Sequence, residues 1–110
     1  MEIEIKTWLY DILSAIKEIE SFTTNTNDFT SFQADLKTRR AVERNIEIIG
    51  EAMSRILNKD SSIELSNSRR VVDTRNRIIH GYDSVSEAIV WNVITEHLPK
   101  LKNEVEELLG

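Results

Sequence analysis

Residues Arg75-Asn76-Arg77-Ile78-Ile79-His80-Gly81-Tyr82 bring two arginines, a carboxamide, one of the chain's two histidines and a tyrosine to a single helix end. A guanidinium is a planar fork of donors that matches phosphate oxygens. An imidazole exchanges protons near neutral pH. Beside a glycine stop, the pair points to phosphate chemistry, with RNA as the expected substrate. At helical spacing Asn76 and His80 share one face, Arg75 and Ile79 share the next, and Arg77 points elsewhere. With Gly81 as a left-handed cap, His80 falls in the last turn, placed to donate a proton or bind phosphate. Tyr82 follows the stop, where its ring can stack on a base and its hydroxyl can hold a nucleotide or accept a modifying group. The competing reading is a solvated, arginine-rich helix end whose Asn/His pair only caps carbonyls. The other histidine, His97, precedes Leu98-Pro99 and is expected at the surface or in a cap. Two histidines so far apart give no metal signature.

Four helical stretches must position these groups. Ile5, Trp8/Leu9, Ile12, Ile16 and Ile19 recur every three or four residues and predict a first helix from about Ile3 to Phe22. The polar run Thr23 to Asp28 ends it, and Asn27 or Asp28 can cap a short piece around Phe29 and Phe32. A second long helix is predicted from about Leu36 to Leu57, with Leu36, Val42, Ile46, Ile49, Met53 and Ile56/Leu57 as its apolar stripe. Gly50 inside that helix costs about 1 kcal/mol relative to alanine, so a close helix crossing is its expected purpose. Ser66 is the expected N-cap of a third helix that carries Val71, Val72, Ile78 and Ile79 and stops at Gly81. Ser84 or Ser86 opens a fourth, which Pro99 should kink or restart after Glu96-His97. The expected fold is all-α, an antiparallel bundle of four to five helices in one domain spanning residues 1–110.

Composition narrows the chemistry. With 110 residues, 30% of them charged, three glycines and one proline, the chain favours helices over a turn-rich β-fold. The absence of cysteine excludes disulfides, thiolate metal sites and cysteine nucleophiles. There is no membrane-length apolar run, and the start Met-Glu-Ile-Glu-Ile-Lys is acidic where a secretory signal is basic, so a cytoplasmic location is expected. A net charge of −5 argues against indiscriminate coating of nucleic acid. The charge is uneven, however. Arg69 to Tyr82 holds four basic residues and one acidic, whereas Glu96 to Leu109 holds four glutamates and two lysines. A basic spot on an acidic body fits a focused phosphate site.

The spacing Arg75, four residues, His80, one residue, Tyr82 resembles the active-site motif of HepT-like toxins in the HEPN superfamily (higher eukaryotes and prokaryotes nucleotide-binding domains). Arg40-Ala41-Val42-Glu43-Arg44-Asn45-Ile46-Glu47-Ile48-Ile49-Gly50-Glu51-Ala52 is similar to the family's second-helix signature. Val90-Trp91 and Leu98-Pro99-Lys100-Leu101 resemble its C-terminal helices, so the likeness spans nearly the whole chain in order. The resemblance implies a HEPN-like helical homodimer acting as a metal-independent ribonuclease without a cofactor, with RNA in the cleft between two motif copies. It also implies an antitoxin partner, a nucleotidyltransferase of the MntA type that transfers AMP to Tyr82 and silences the nuclease.

On these expectations Arg75 and His80 are catalytic, Asn76, Arg77, Tyr82 and Arg44 bind substrate, and Tyr82 is the modification site. Arg40, Arg44, Asn45, Glu47 and Glu51 read as a polar band lining the cleft, with Arg44 and Glu51 buried or interfacial. Exposed apolar surface on the first and fourth helices, including Trp8 and Trp91, is expected to drive dimerisation. The chain has Asn67-Ser68 where relatives often carry Pro-Trp, which predicts a different start for the third helix. The alternative function is a non-catalytic helical module that binds nucleotide or docks the nucleotidyltransferase.

Overall fold

A computed structural model describes residues 1–66, 68–80 and 87–110. The helical periodicity of the N-terminal third forms α1 (Ile3–Phe22), whose buried stripe is Ile5, Leu9, Ile12, Ala15, Ile16 and Ile19. Asp28, rather than Asn27, caps the short α2 (Phe29–Ala34): its carboxylate accepts the Ser31 backbone N–H at 2.8 Å. Asp35 opens α3 (Leu36–Lys59) in the same way, accepting the Thr38 N–H at 3.1 Å and its hydroxyl at 2.6 Å. These carboxylates satisfy donors that a helix start leaves without partners.

Helix α4 (Ser68–Ile79) begins two residues after Ser66, so Ser66 is not its cap. The Ser66 backbone N–H instead donates to both carboxylate oxygens of Glu104, at 3.1 and 3.0 Å, tying the approach to α4 onto the C-terminal helix. Asn67, Ser84 and Ser86, which carried sequence expectations about helix starts, lie outside the described residues. The C-terminal rod comprises α5 (Glu87–Asn92), a π-helical turn (Val93–His97) and α6 (Leu98–Leu109). Pro99 lies in the first turn of α6, and the Leu98 N–H just before it reaches back to the Val93 carbonyl. The wide turn lets a helix continue past a residue with no N–H to donate, which is how the expected restart at Pro99 is achieved.

Helix α3 is central. It packs antiparallel to α1, with Lys59 at its end pairing with Glu4 at 3.1 Å near the start of α1. Its other flank holds α4, also antiparallel, while α6 lies along α1 with Lys102 bonded to Glu20 at 3.0 Å. Val42, Ile46, Ile49, Met53 and Ile56 of α3 interlock with the α1 stripe, Phe32, Val71, Val90, Val93, Leu101 and Val105 in one apolar cluster. Arg39 ties three elements together: it donates to the Gln33 carbonyl at 2.8 Å and pairs with Glu87 of α5 at 3.1 Å. Trp91 is half-buried against Phe32, with ring centroids 5.1 Å apart. Much of its surface is therefore covered within the chain, not left for a second copy. Trp8 is also half-buried, and the large apolar residues left exposed on α1 are Ile3, Tyr10 and Phe22.

Candidate active site at the end of helix four

Val71 and Thr74 anchor α4 in the core, and the Thr74 hydroxyl is satisfied by the Arg70 carbonyl at 2.8 Å. That anchorage turns Arg75 toward α3, where Gly50 receives it. A Cβ built on Gly50 would lie 2.5 Å from Arg75 Cβ and 2.8 Å from its Cγ. Only a residue without a side chain permits this approach, so the glycine's helix cost is offset by close packing of the arginine stem.

The Arg75 side chain is half-buried. Its Nη1 donates to Asn76 Oδ1 at 2.9 Å, while its Nε is shielded from solvent and makes no hydrogen bond. No carboxylate among the described residues pairs with this guanidinium. A positive group held by its stem and by a neutral amide keeps its charge available to an anion.

His80 follows the last residue of α4, and its backbone N–H donates to the Asn76 carbonyl at 3.1 Å. The helical hydrogen-bond pattern thus extends one residue beyond Ile79 and fixes where the imidazole emerges. His80 is exposed, as is Arg77 on the same helix. Arg75 and His80, five residues apart, are separated by about 7.5 Å along the axis at 1.5 Å per residue. Asn76 links them, bonded to Arg75 through its side chain and to His80 through its carbonyl. Gly81 and Tyr82, the expected cap and modification site, lie outside the described residues.

The second-helix band divides. Arg44 is largely exposed and donates to Glu47 at 3.1 Å, and Glu51 is half-exposed and pairs with Arg55 at 2.7 Å. These are ordinary pairs along a helix surface, so neither Arg44 nor Glu51 is buried within the chain, and of the expected buried or interfacial placement only the first is overturned. Arg44 precedes Gly50 by six residues, about 120° around the helix, which turns it away from α4. It lines a shallow depression with Trp8, Asp11, Ile48 and Arg55 on the α1 side. Asn45 does not belong to the exposed band: it is 5% exposed and donates to the Ala41 carbonyl at 3.0 Å.

His97 corrects another expectation. It holds the N-cap position of α6 without capping it, is half-buried, and has an Nδ1 shielded from solvent with no hydrogen-bond partner. Burial, and then the nearby charges of Arg70 and Lys100, pull its pKa below the ordinary histidine value, with Glu96 opposing weakly. Sequence spacing gave no sign of this grouping, because Arg70 meets the π-helical turn only through the tertiary fold.

Comparison with known proteins identifies the family. The family model described as "Ribonuclease HepT-like" matches residues 12–108. The chain is 37% identical over 105 residues to "Putative RNase MJ1380" of Methanocaldococcus jannaschii, covering 94% of each chain. It is 38% identical over 104 residues to "Probable ribonuclease HepT" of Thermococcus cleftensis, again covering 94% of each. A second M. jannaschii protein, "Putative RNase MJ0127", is 33% identical over 110 residues, which cover 96% of this chain and 88% of that protein. No solved structure matches. With the motif helix and its glycine seat both inside the matched region, the chain belongs to the HepT-like ribonuclease family.

Proposed function

We propose that this protein is a metal-independent RNA endonuclease, the toxin of a HepT/MntA-type pair, with Arg75 and His80 as its catalytic residues. The observation that carries the reading is the seating of Arg75: its stem rests on Gly50, its fork is braced by Asn76, and no described carboxylate neutralises it. Such a guanidinium steadies charge that builds on a phosphate during attack.

Cleavage begins when the ribose 2′-oxygen attacks the adjacent phosphorus as a base removes its proton. The bond from phosphorus to the 5′-oxygen then breaks, and an acid protonates that leaving oxygen. The products are a 2′,3′-cyclic phosphate and a 5′-hydroxyl end. His80 of one protomer serves as base and His80 of its symmetry mate as acid, so a homodimer supplies both proton carriers. Arg75 binds the phosphate, and Asn76 holds Arg75 in register. Arg77 and Tyr82 contact the substrate strand, whereas Arg44, on the α1 side and paired with Glu47, is left out of the contact within one protomer.

The proposed control is transfer of AMP to Tyr82 by an MntA-like nucleotidyltransferase, which places an anionic, bulky group beside the basic motif and blocks RNA. The proposed setting is the cytoplasm. Among the described residues no helix is long and apolar enough to cross a membrane.

RNA degradation in EDTA, comparing wild type with His80→Ala, tests the reading. Cleavage by wild type that disappears in the variant supports it. Absence of cleavage by both proteins favours the non-catalytic module that binds nucleotide or docks a nucleotidyltransferase. Intact mass after coexpression with the nucleotidyltransferase should rise in AMP-sized steps, and a Tyr82→Phe variant should not gain them.

A further inference from the structure

Seven arginines of this chain fall into two electrostatic classes. Arg39, Arg40, Arg44 and Arg55 on α3 each pair with a carboxylate, at 3.1, 2.9, 3.1 and 2.7 Å. On α4, by contrast, Arg69, Arg70 and Arg75 have no carboxylate partner among the described residues. An acidic protein with carboxylates to spare pairs none of its described ones with these three arginines, the expected mark of a surface that meets an external anion.

Arg70 is the informative member. Its Nη2 reaches Asn92 Oδ1 at 3.4 Å, a neutral contact that positions the guanidinium against the C-terminal rod and leaves its charge intact. There it joins Lys100 in the first turn of α6 and the half-buried His97, whose shielded Nδ1 lacks a partner. Lys100 likewise has no carboxylate partner among the described residues. The carboxylates on the adjoining elements are Glu96 in the π-helical turn, Asp73 on α4 and Glu104 on α6, the last engaged by the Ser66 backbone N–H, and none forms an ion pair with Arg70 or Lys100. Arg70 and Arg77 are seven residues apart and so lie on one side of α4, separated by about 10.5 Å along the axis. His80, three residues after Arg77, emerges near this side, and a strand that leaves the exposed imidazole along it arrives at Arg70.

We propose that Arg70, Lys100 and His97 form a second phosphate subsite, which grips the sugar–phosphate backbone of the RNA a few nucleotides away from the phosphate held by Arg75. The inference rests on the nuclease reading for the identity of the ligand, but not for the existence of the site. Contacts of this kind set register and affinity without reading sequence. They also explain how a protein of net charge −5 holds a polyanion.

The test uses a 2′-O-methyl RNA strand, which binds but cannot be cleaved, and a 2′-O-methyl dinucleotide, too short to span both sites. Arg70→Gln combined with Lys100→Gln should weaken strand binding several-fold and leave dinucleotide binding unchanged. It should also flatten the dependence of log affinity on log salt by about 1.4, at roughly 0.7 per lost single-strand phosphate contact. Lys6→Gln with Lys17→Gln, an equal loss of charge on α1, should leave the slope as in wild type. In wild type, bound strand should shift the His97 ring resonances and raise the pH at which they titrate. Double-variant affinity and salt slope equal to those of wild type, or His97 resonances unmoved at saturation, would overturn the proposal. Since the probe is inert, strand binding that depends on Arg70 in a wild type that cleaves no RNA would refute the nuclease and retain the subsite.

Discussion

Arg75 rests directly on Gly50, so the guanidinium at the motif helix and the one glycine inside α3 form a single packing unit. The contact joins the α3 signature to the α4 motif, two segments that sequence alone presents as separate. Gly50→Ala would gain about 1 kcal/mol of helix propensity but incur overpacking of about 1–3 kcal/mol against the arginine stem. The variant should therefore unfold at equal or lower denaturant concentration and lose cleavage activity. A more stable protein with unchanged cleavage in denaturation and RNase assays would contradict the packing argument.

Arg75→Lys retains a positive charge and an aliphatic stem but loses the planar fork that bonds Asn76. Stability should change by less than about 1 kcal/mol, while kcat falls by about 10²–10³, the range for losing one preorganised donor to a transition-state charge. A lysine variant with near wild-type kcat would remove Arg75 from the chemistry.

His80 is exposed, so His80→Ala should fold as wild type does. Cleavage should drop by about 10²–10⁴, the usual contribution of a positioned acid or base. Imidazole chemistry changes across neutral pH, and wild-type cleavage should do the same. A flat rate profile from about pH 5 to 9 would assign proton transfer to another group.

The helix caps give a pH prediction with a definite sign. The Ser31 backbone N–H, then its side chain, holds the Asp28 carboxyl below its ordinary value of 3.8. The Thr38 hydroxyl, then its backbone N–H, does the same for Asp35. A carboxyl depressed on folding stabilises the native state above its unfolded pKa, and that stability is lost as pH falls through the folded value. Asp28→Ala with Asp35→Ala should lower the melting temperature at neutral pH. The difference from wild type should shrink as pH drops below 3.8. Thermal scans across that range provide the check, and a difference independent of pH would refute the cap assignment.

The shared-cleft mechanism requires two copies. Light scattering at micromolar concentration should show a dimer, and Tyr10→Glu on the exposed part of α1 should weaken it. A wild-type monomer that still cleaves RNA would eliminate the two-histidine scheme.

The helices themselves were legible because apolar spacing and capping are local. The repeat from Ile5 to Ile19 defines α1, Asp28 caps the helix that begins one residue later, and Pro99 demands an interruption that the π-helical turn supplies. The start of α4 is not legible locally, since Ser66 resembles a cap but is held by Glu104 from a distant helix. Asn45 and Glu51, both polar members of the α3 signature, differ in burial because packing against neighbouring helices determines which face is covered.

Local order therefore set the all-α fold, the motif spacing of Arg75 and His80, and the need for a close approach at Gly50. Tertiary packing alone decided that Arg75 fills that approach, that Arg39 pairs with Glu87 of α5, and that His97 lies near Arg70. The physical reason is range. Helix propensity, caps and pairs three or four residues apart act locally, whereas charge pairing between helices and steric fit depend on which surfaces the bundle brings into contact.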